Sequence, residues 1–309
     1  GNRRSPRPHQ GTRRRDPGAR RDGSRPDLSR SSNPRSCVVA DTIIGAGLTE
    51  AHRREQSSIS NQIIAGMLQA WAVIDPEDLD TSFVRWLGFI TPMIRTAHRS
   101  STESTATYLA QFRAVEGISG SPAIRTAGVL ATARIKASMT ATLLAPARTN
   151  LRRLPPTQAF ETARVGSSRA AGRLVLSGGR DTLIRTVETD RQALGYARAT
   201  SGSPCHFCAM LASRGPVYGE RSSQFRAHDG CNCSGEPVYS RDTEWPAGAE
   251  QHQELWREAS EGRTPAEARR AAISAMPRSC DPPHWARFSP AWSHRGRGSR
   301  RRLSTWPEP

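Results

Sequence analysis

The chain has 309 residues, a formal net charge of +17 and 36% hydrophobic residues, enough apolar content for a sizeable core and one or two domains. No run of about 18 apolar residues is present to span a membrane, so no membrane partner is expected. Gly1 to Ser36 is too charged for a secretory leader, which removes the case for an oxidising compartment and a disulfide framework.

Residues 1–47 carry eleven Arg against four Asp, a net of +7, amid Pro, Ser and Gly. Residues 277–309 carry seven Arg against two acids, a net of +5. Most of the charge therefore belongs to the ends, and both ends read as disordered Arg/Pro-rich tails that lack the apolar content to offset their own ordering entropy. One reading makes them arms that touch DNA without sequence preference. The favoured one makes them mistranslated or misannotated ends, because out-of-frame GC-rich DNA yields such Arg/Pro/Ser/Trp mixtures. Cys37 and Cys280 lie in these stretches and receive no role.

Between the tails the pattern is mainly helical. Ile59, Ile63, Ile64, Met67, Leu68 and Trp71 mark one helix over 48–71. Asp75-Pro76-Glu77-Asp78 is a restart signal, with Asp75 as the N-cap and proline at the first helical position. Leu79, Phe83, Trp86, Leu87, Ile90, Met93, Ile94 and Ala97 mark one face of a second helix in which Pro92 is a candidate kink. A third helix is expected through Tyr108, Leu109, Phe112 and Val115, so that three amphipathic helices pack as a bundle. Residues 117–150 stay open between strand and helix, with Val129–Ile135 fitting both. A helix over 157–177 is expected to end at Gly178-Gly179, and Asp181 to cap another that leads toward Cys205. Beyond the cysteines, Glu236–Tyr239 reads as a short strand and Gln251–Ala259 as a helix. Thr264-Pro265-Ala266-Glu267 reads as a capping box that opens a last helix. These elements give a helical body over 48–150, then a small α+β module over 151–276.

That module holds the most reactive part of the chain. Cys205 and Cys208 form C-H-F-C, and His228, Cys231 and Cys233 form H-D-G-C-N-C. Thiolates and an imidazole at these spacings can point inward at one tetrahedral Zn²⁺. Zinc takes four donors, and Cys233, which shares a short loop with Cys231, is the one expected to be spare. Buried thiols without metal, or disulfides, are the bland alternatives. A redox C-x-x-C would want a preceding buried strand and a helix starting at its first Cys, and Thr200–Pro204 reads as loop instead.

The segment Asp190–Arg198, followed by Cys205–Tyr218 and then His228–Cys233 with Glu236–Tyr239, resembles the minor head proteins of actinobacterial tailed phages, related to the phage Mu F-like head morphogenesis family. The starts at Leu48–Arg54 and Asp75–Leu79 are similar as well. The resemblance implies a non-enzymatic minor capsid protein that acts in head assembly near the portal. It would work in the host cytoplasm and then in the virion head, with portal and other capsid proteins as partners. Val217, Tyr218, Phe225 and Tyr239 are expected to be exposed as its docking surface. Two enzymatic alternatives remain. A maturation protease would need a Ser, a base and an orienting group. A zinc-framed nuclease would use His228 to activate water. His228 and Asp229 are neighbours whose side chains diverge, which disfavours the protease.

Overall fold

The computed structural model describes residues 40–120, 123–200, 204, 206–213, 215, 225–240 and 247–275. Cys37, Cys205, Val217, Tyr218, Cys280 and both expected tails lie outside the described residues, apart from the few positions from Ala40 onward.

α1 runs Ile43–Ala70, with Thr42 as its N-cap accepting from the Gly45 amide at 2.9 Å, and a short 3₁₀ turn, Trp71–Val73, ends it. Its C-terminal half buries Ile63 and Met67, as the spacing predicts, but Leu68 is exposed. Its N-terminal half buries Thr49, His52, Gln56 and Ser60 instead. Thr49, His52 and Gln56 are paired across to the next helix. Thr49 Oγ1 lies 2.7 Å from the Tyr108 hydroxyl, Ser101 Oγ donates to Gln56 Oε1 at 2.6 Å, and His52 stacks flat on Tyr108 with ring centroids 4.3 Å apart.

α2 spans Leu79–Val115 without interruption, so the second and third expected helices are one. Asp78, three residues after the expected cap at Asp75, is the N-cap, and Pro92 sits inside the helix without ending it. The apolar period lapses at His98–Ser104, yet the helix continues because the small hydroxyls there satisfy themselves on it. Thr102 Oγ1 donates to the His98 carbonyl at 3.0 Å and Thr105 Oγ1 to that of Ser101 at 2.9 Å. Of the expected face, Phe83, Trp86, Ile90 and Ile94 are buried together with Ile63 and Met67, and Leu79, Leu87 and Ala97 pack partly buried against them, but Met93 is exposed.

The open segment is helical from Thr132 on. Val129 and Leu130 belong to no helix or strand, then α3 (Thr132–Met139), a π-helical turn (Thr140–Leu144) and α4 (Ala145–Asn150) follow in line. Ile135, Met139, Leu143 and Ala147 form their buried stripe.

α5, Pro156–Thr189, packs along α1, α2 and α4, and overturns the expected stop at Gly178-Gly179. The two glycines are not a break but a close approach. A Cβ at Gly178 would lie 2.4 Å from the His98 carbonyl oxygen, and one at Gly179 2.4 Å from Thr105 Oγ1. Helices can draw this near only where one of them has no side chain. Asp181 therefore lies mid-helix and caps nothing. Since α5 serves both the body and the region that follows, the two expected regions share it.

β1 (Gly195–Ala199) and β2 (Ser234–Val238) form an antiparallel pair, with Gly195 opposite Val238 and Ala199 opposite Ser234. β2 matches the expected strand. β1 was hidden because all its residues are buried, leaving no alternation to read. α6 (His206–Ala212) follows β1, and α7 (Ala247–Ser260) and α8 (Pro265–Ala275) close the described chain as a helical hairpin. The capping box forms as read: Thr264 Oγ1 and its amide both reach Glu267 Oε2, at 2.7 and 2.9 Å. The architecture is mainly α, a helical body followed by a small α+β module. Among the described residues no helix is long and apolar enough to cross a membrane.

Candidate metal centre

Every candidate ligand lies in the connection between β1 and β2, and the pairing of those strands draws the two ends of that connection together. At one end α6 presents Cys208 from its buried face beside Ala209, Leu211 and Ala212. At the other, His228–Cys231 is a turn closed by the Cys231 amide on the His228 carbonyl at 3.1 Å. Gly230 occupies it at φ +81°, a left-handed conformation that the turn needs glycine for, and a Cβ there would press on Arg169 at 3.3 Å.

The turn is seated on α5. The Gly230 amide donates to the Arg169 carbonyl at 3.3 Å, and Arg173 Nε donates to Asp229 Oδ1 at 2.5 Å. Arg180 donates through Nη2 to the carbonyls of Cys231 (2.7 Å) and Cys233 (2.9 Å), and its Nη2 lies 3.5 Å from Cys231 Sγ. Residues 169, 173 and 180 share one face of α5 at helical spacing. The sequence reading missed all three. The available signal was arginine recurring at i, i+4 and i+11 on an otherwise buried helix.

Cys208, His228 and Cys231 bring one donor atom each to within 4.8 Å of one another. Cys208 Sγ is 3.5 Å from Cys231 Sγ and 3.6 Å from His228 Nε2. Zn–S bonds of about 2.3 Å and Zn–N bonds of about 2.0 Å set tetrahedral edges of roughly 3.8 Å between sulfurs and 3.5 Å between sulfur and nitrogen. The observed separations sit close to those edges. His228 is oriented as a ligand would be: Nδ1 bonds the Asp229 carbonyl at 2.9 Å, which places the proton there and leaves Nε2 as the donor facing Cys208. Phe207 packs edge-on to the ring, 5.7 Å between centroids.

Cys233 is buried against Cys208 and Cys231 but is not one of the three converging donors. With Cys205 outside the described residues, those two thiols are the candidates for a fourth position. The cluster holds its charge unevenly. Contacts with the Cys208 and Cys233 thiols, helped by Arg180, push the Cys231 thiol far below the ordinary range. Cys233 moves up to about 12: its contact with Cys208 pulls down, but Cys231 and burial outweigh it. One thiolate with a protonated neighbour is how crowded sulfurs behave without a cation, and a divalent ion would let all of them ionise.

Three expectations change here. The strand and helix held to be missing around the C-x-x-C are present, as β1 and as α6 starting at His206, so their absence is no argument against redox chemistry. Phe225 is not an exposed docking residue: it stacks on Tyr196 at 5.8 Å and lies beneath the Arg198 guanidinium at 3.8 Å. Tyr239 is also turned inward, its hydroxyl donating to Asp190 at 3.2 Å and its ring stacked with Phe112. Tyr239, just after β2, thereby joins the buried Arg113–Asp190 ion pair, which ties the end of α2 to the end of α5.

In comparison with known proteins, the model of a family described as VG15 protein matches residues 45–259, which runs from within α1 to within α7 and takes in every candidate ligand. No curated protein and no solved structure matches.

Proposed function

This chain belongs to the VG15 family of viral proteins, and we propose that it is a minor capsid protein of a tailed phage or prophage, acting in head assembly near the portal. The observation that carries the reading is the continuous family match across body and cysteine turn alike, which makes the centre part of the viral module. In this reading Zn²⁺ is structural, held by Cys208, His228, Cys231 and one of Cys205 or Cys233. A short module with few apolar residues gains from metal the rigidity that its core does not supply.

The geometry supports a non-enzymatic role. A general base needs an imidazole nitrogen turned toward substrate, whereas His228 directs one nitrogen at a carbonyl and the other at Cys208. Asp229, which a protease or nuclease would use beside it, is bound by Arg173. Portal and capsid subunits are the proposed partners, and the head the proposed location.

The test pairs metal with activity. Protein made in reducing cytosol should carry close to one zinc per chain and lose it on Cys208→Ser. His228→Cys should keep zinc, because a thiolate replaces the imidazole, and should still capture portal or capsid subunits. Neither parent nor variant should cleave DNA with Mg²⁺. Cleavage by the parent that vanishes in His228→Cys would favour the nuclease and overturn this reading.

A further inference from the structure

We propose that Cys208 and Cys231 are a redox modification site, closing to a disulfide that staples α6 to the cysteine turn when metal is displaced. The proposal uses two of the sulfurs assigned above to zinc, and so rests on that centre for its resting state only. Their Sγ atoms are 3.5 Å apart, about 1.5 Å from disulfide bonding distance. Both residues are only 2% exposed, so the pair is shielded from partners on other chains. The mounting of each sulfur favours closure. Cys231 is fixed on α5 through Gly230, Asp229 and the Arg180 hydrogen bonds. Cys208 rides on α6, a helix of only seven residues that can shift as a unit.

The surplus of donors points the same way. A purely structural zinc site needs four, and five are offered here. Joining Cys208 to Cys231 removes two donors from the ion in one event, so zinc leaves as the bond forms, and the same joint passes from a metal staple to a covalent one. With hydrogen peroxide as oxidant, one thiolate attacks the O–O bond to give a sulfenic acid and hydroxide. The second thiolate then displaces hydroxide from that sulfur. The sulfur pair loses two electrons, and the peroxide, reduced by two, ends as two waters after protonation. A particle assembled in reducing cytosol and released outside it would meet both conditions in turn.

The experiment treats the full-length, zinc-loaded chain with hydrogen peroxide. Zinc release is read with a chromogenic chelator, the disulfide by peptide mapping, and order in α6 by hydrogen exchange over 206–212. Expected are one zinc released per disulfide formed, the link mapped to Cys208–Cys231, α6 amides still protected, and reversal by dithiothreitol with zinc. Cys233→Ser should form the same link. A disulfide through Cys233, an interchain link, sulfinic acid at either sulfur, or loss of α6 protection in the oxidised chain would each overturn the proposal. A chain isolated without zinc would overturn the metal reading alone, and the same link forming in it would uphold this one.

Discussion

Replacing Gly178 with alanine sets two effects against each other. In an open helix interior the change gains about 1 kcal/mol of helix propensity. At Gly178 the new Cβ would lie 2.4 Å from the His98 carbonyl oxygen and 2.6 Å from Thr102 Oγ1. The first of these is backbone and cannot rotate away, so α5 and α2 must separate by more than half an ångström along a well-packed interface. Overpacking of this kind costs about 1–3 kcal/mol, and the shift also strains the Gly179 amide bond to Ser101 Oγ at 3.0 Å. The net expectation is destabilisation of up to about 2 kcal/mol, a Tm lower by up to roughly 8 °C for a folded region of this size. Gly88, in α2 with nothing within 4 Å of its Cβ position, is the control: Gly88→Ala should stabilise by about 0.5–1 kcal/mol. Calorimetry on both variants reads the contrast. A Gly178→Ala protein stabilised as much as Gly88→Ala would refute the close-approach account of the Gly-Gly pair.

Acid should destabilise the body through His52. Burial depresses this imidazole from 6.5 to about 4, so the unfolded chain takes up a proton that the folded chain refuses. The stability it contributes is complete above pH 6.5 and about 3 kcal/mol is lost as pH falls to 4; urea midpoints across that window should shift less in His52→Gln, and equal slopes would contradict the assignment. Arg113→Leu leaves Asp190 buried and uncompensated, and should cost about 3–5 kcal/mol. Arg148→Leu, which breaks the exposed pair with Asp80, should cost less than about 1 kcal/mol, and comparable losses for the two would show that burial is not what matters.

How far the sequence could be read follows from where burial is apolar. Phe83, Trp86, Ile90 and Ile94 announced their face because a helix with an apolar stripe has one way to bury it. The polar half of α1 gave no such signal: Thr49, His52 and Gln56 are buried for partners on α2, and a buried hydrogen bond has no period. The same gap hid the continuity of α2 through Ser101 and Thr105. Glycine misled at 178–179 because the residue that permits a turn is also the one that permits contact. In the centre, donor spacing picked out Cys208, His228 and Cys231 among its five candidates, and these three the fold brings together. Arg173 and Arg180 come from a helix about 50 residues earlier, and only the fold brings them to the turn.

The seating of the cysteine turn on α5 has a consequence for the order in which the protein is made. All the helices of the body end at Thr189, before the first candidate donor at Cys205 and 44 residues before the last at Cys233. At translation rates of about 5–20 residues per second, the bundle has roughly 2–9 s to form ahead of the complete ligand set. The emerging thiols then meet a platform whose Arg169 carbonyl, Arg173 and Arg180 are already in position. A chain that captured metal before α5 had docked would gather the same sulfurs on a flexible loop, where wrong pairings compete. Vectorial synthesis thus gives the N-terminal helices a templating role for a candidate centre to which, among the described residues, they bring no donor.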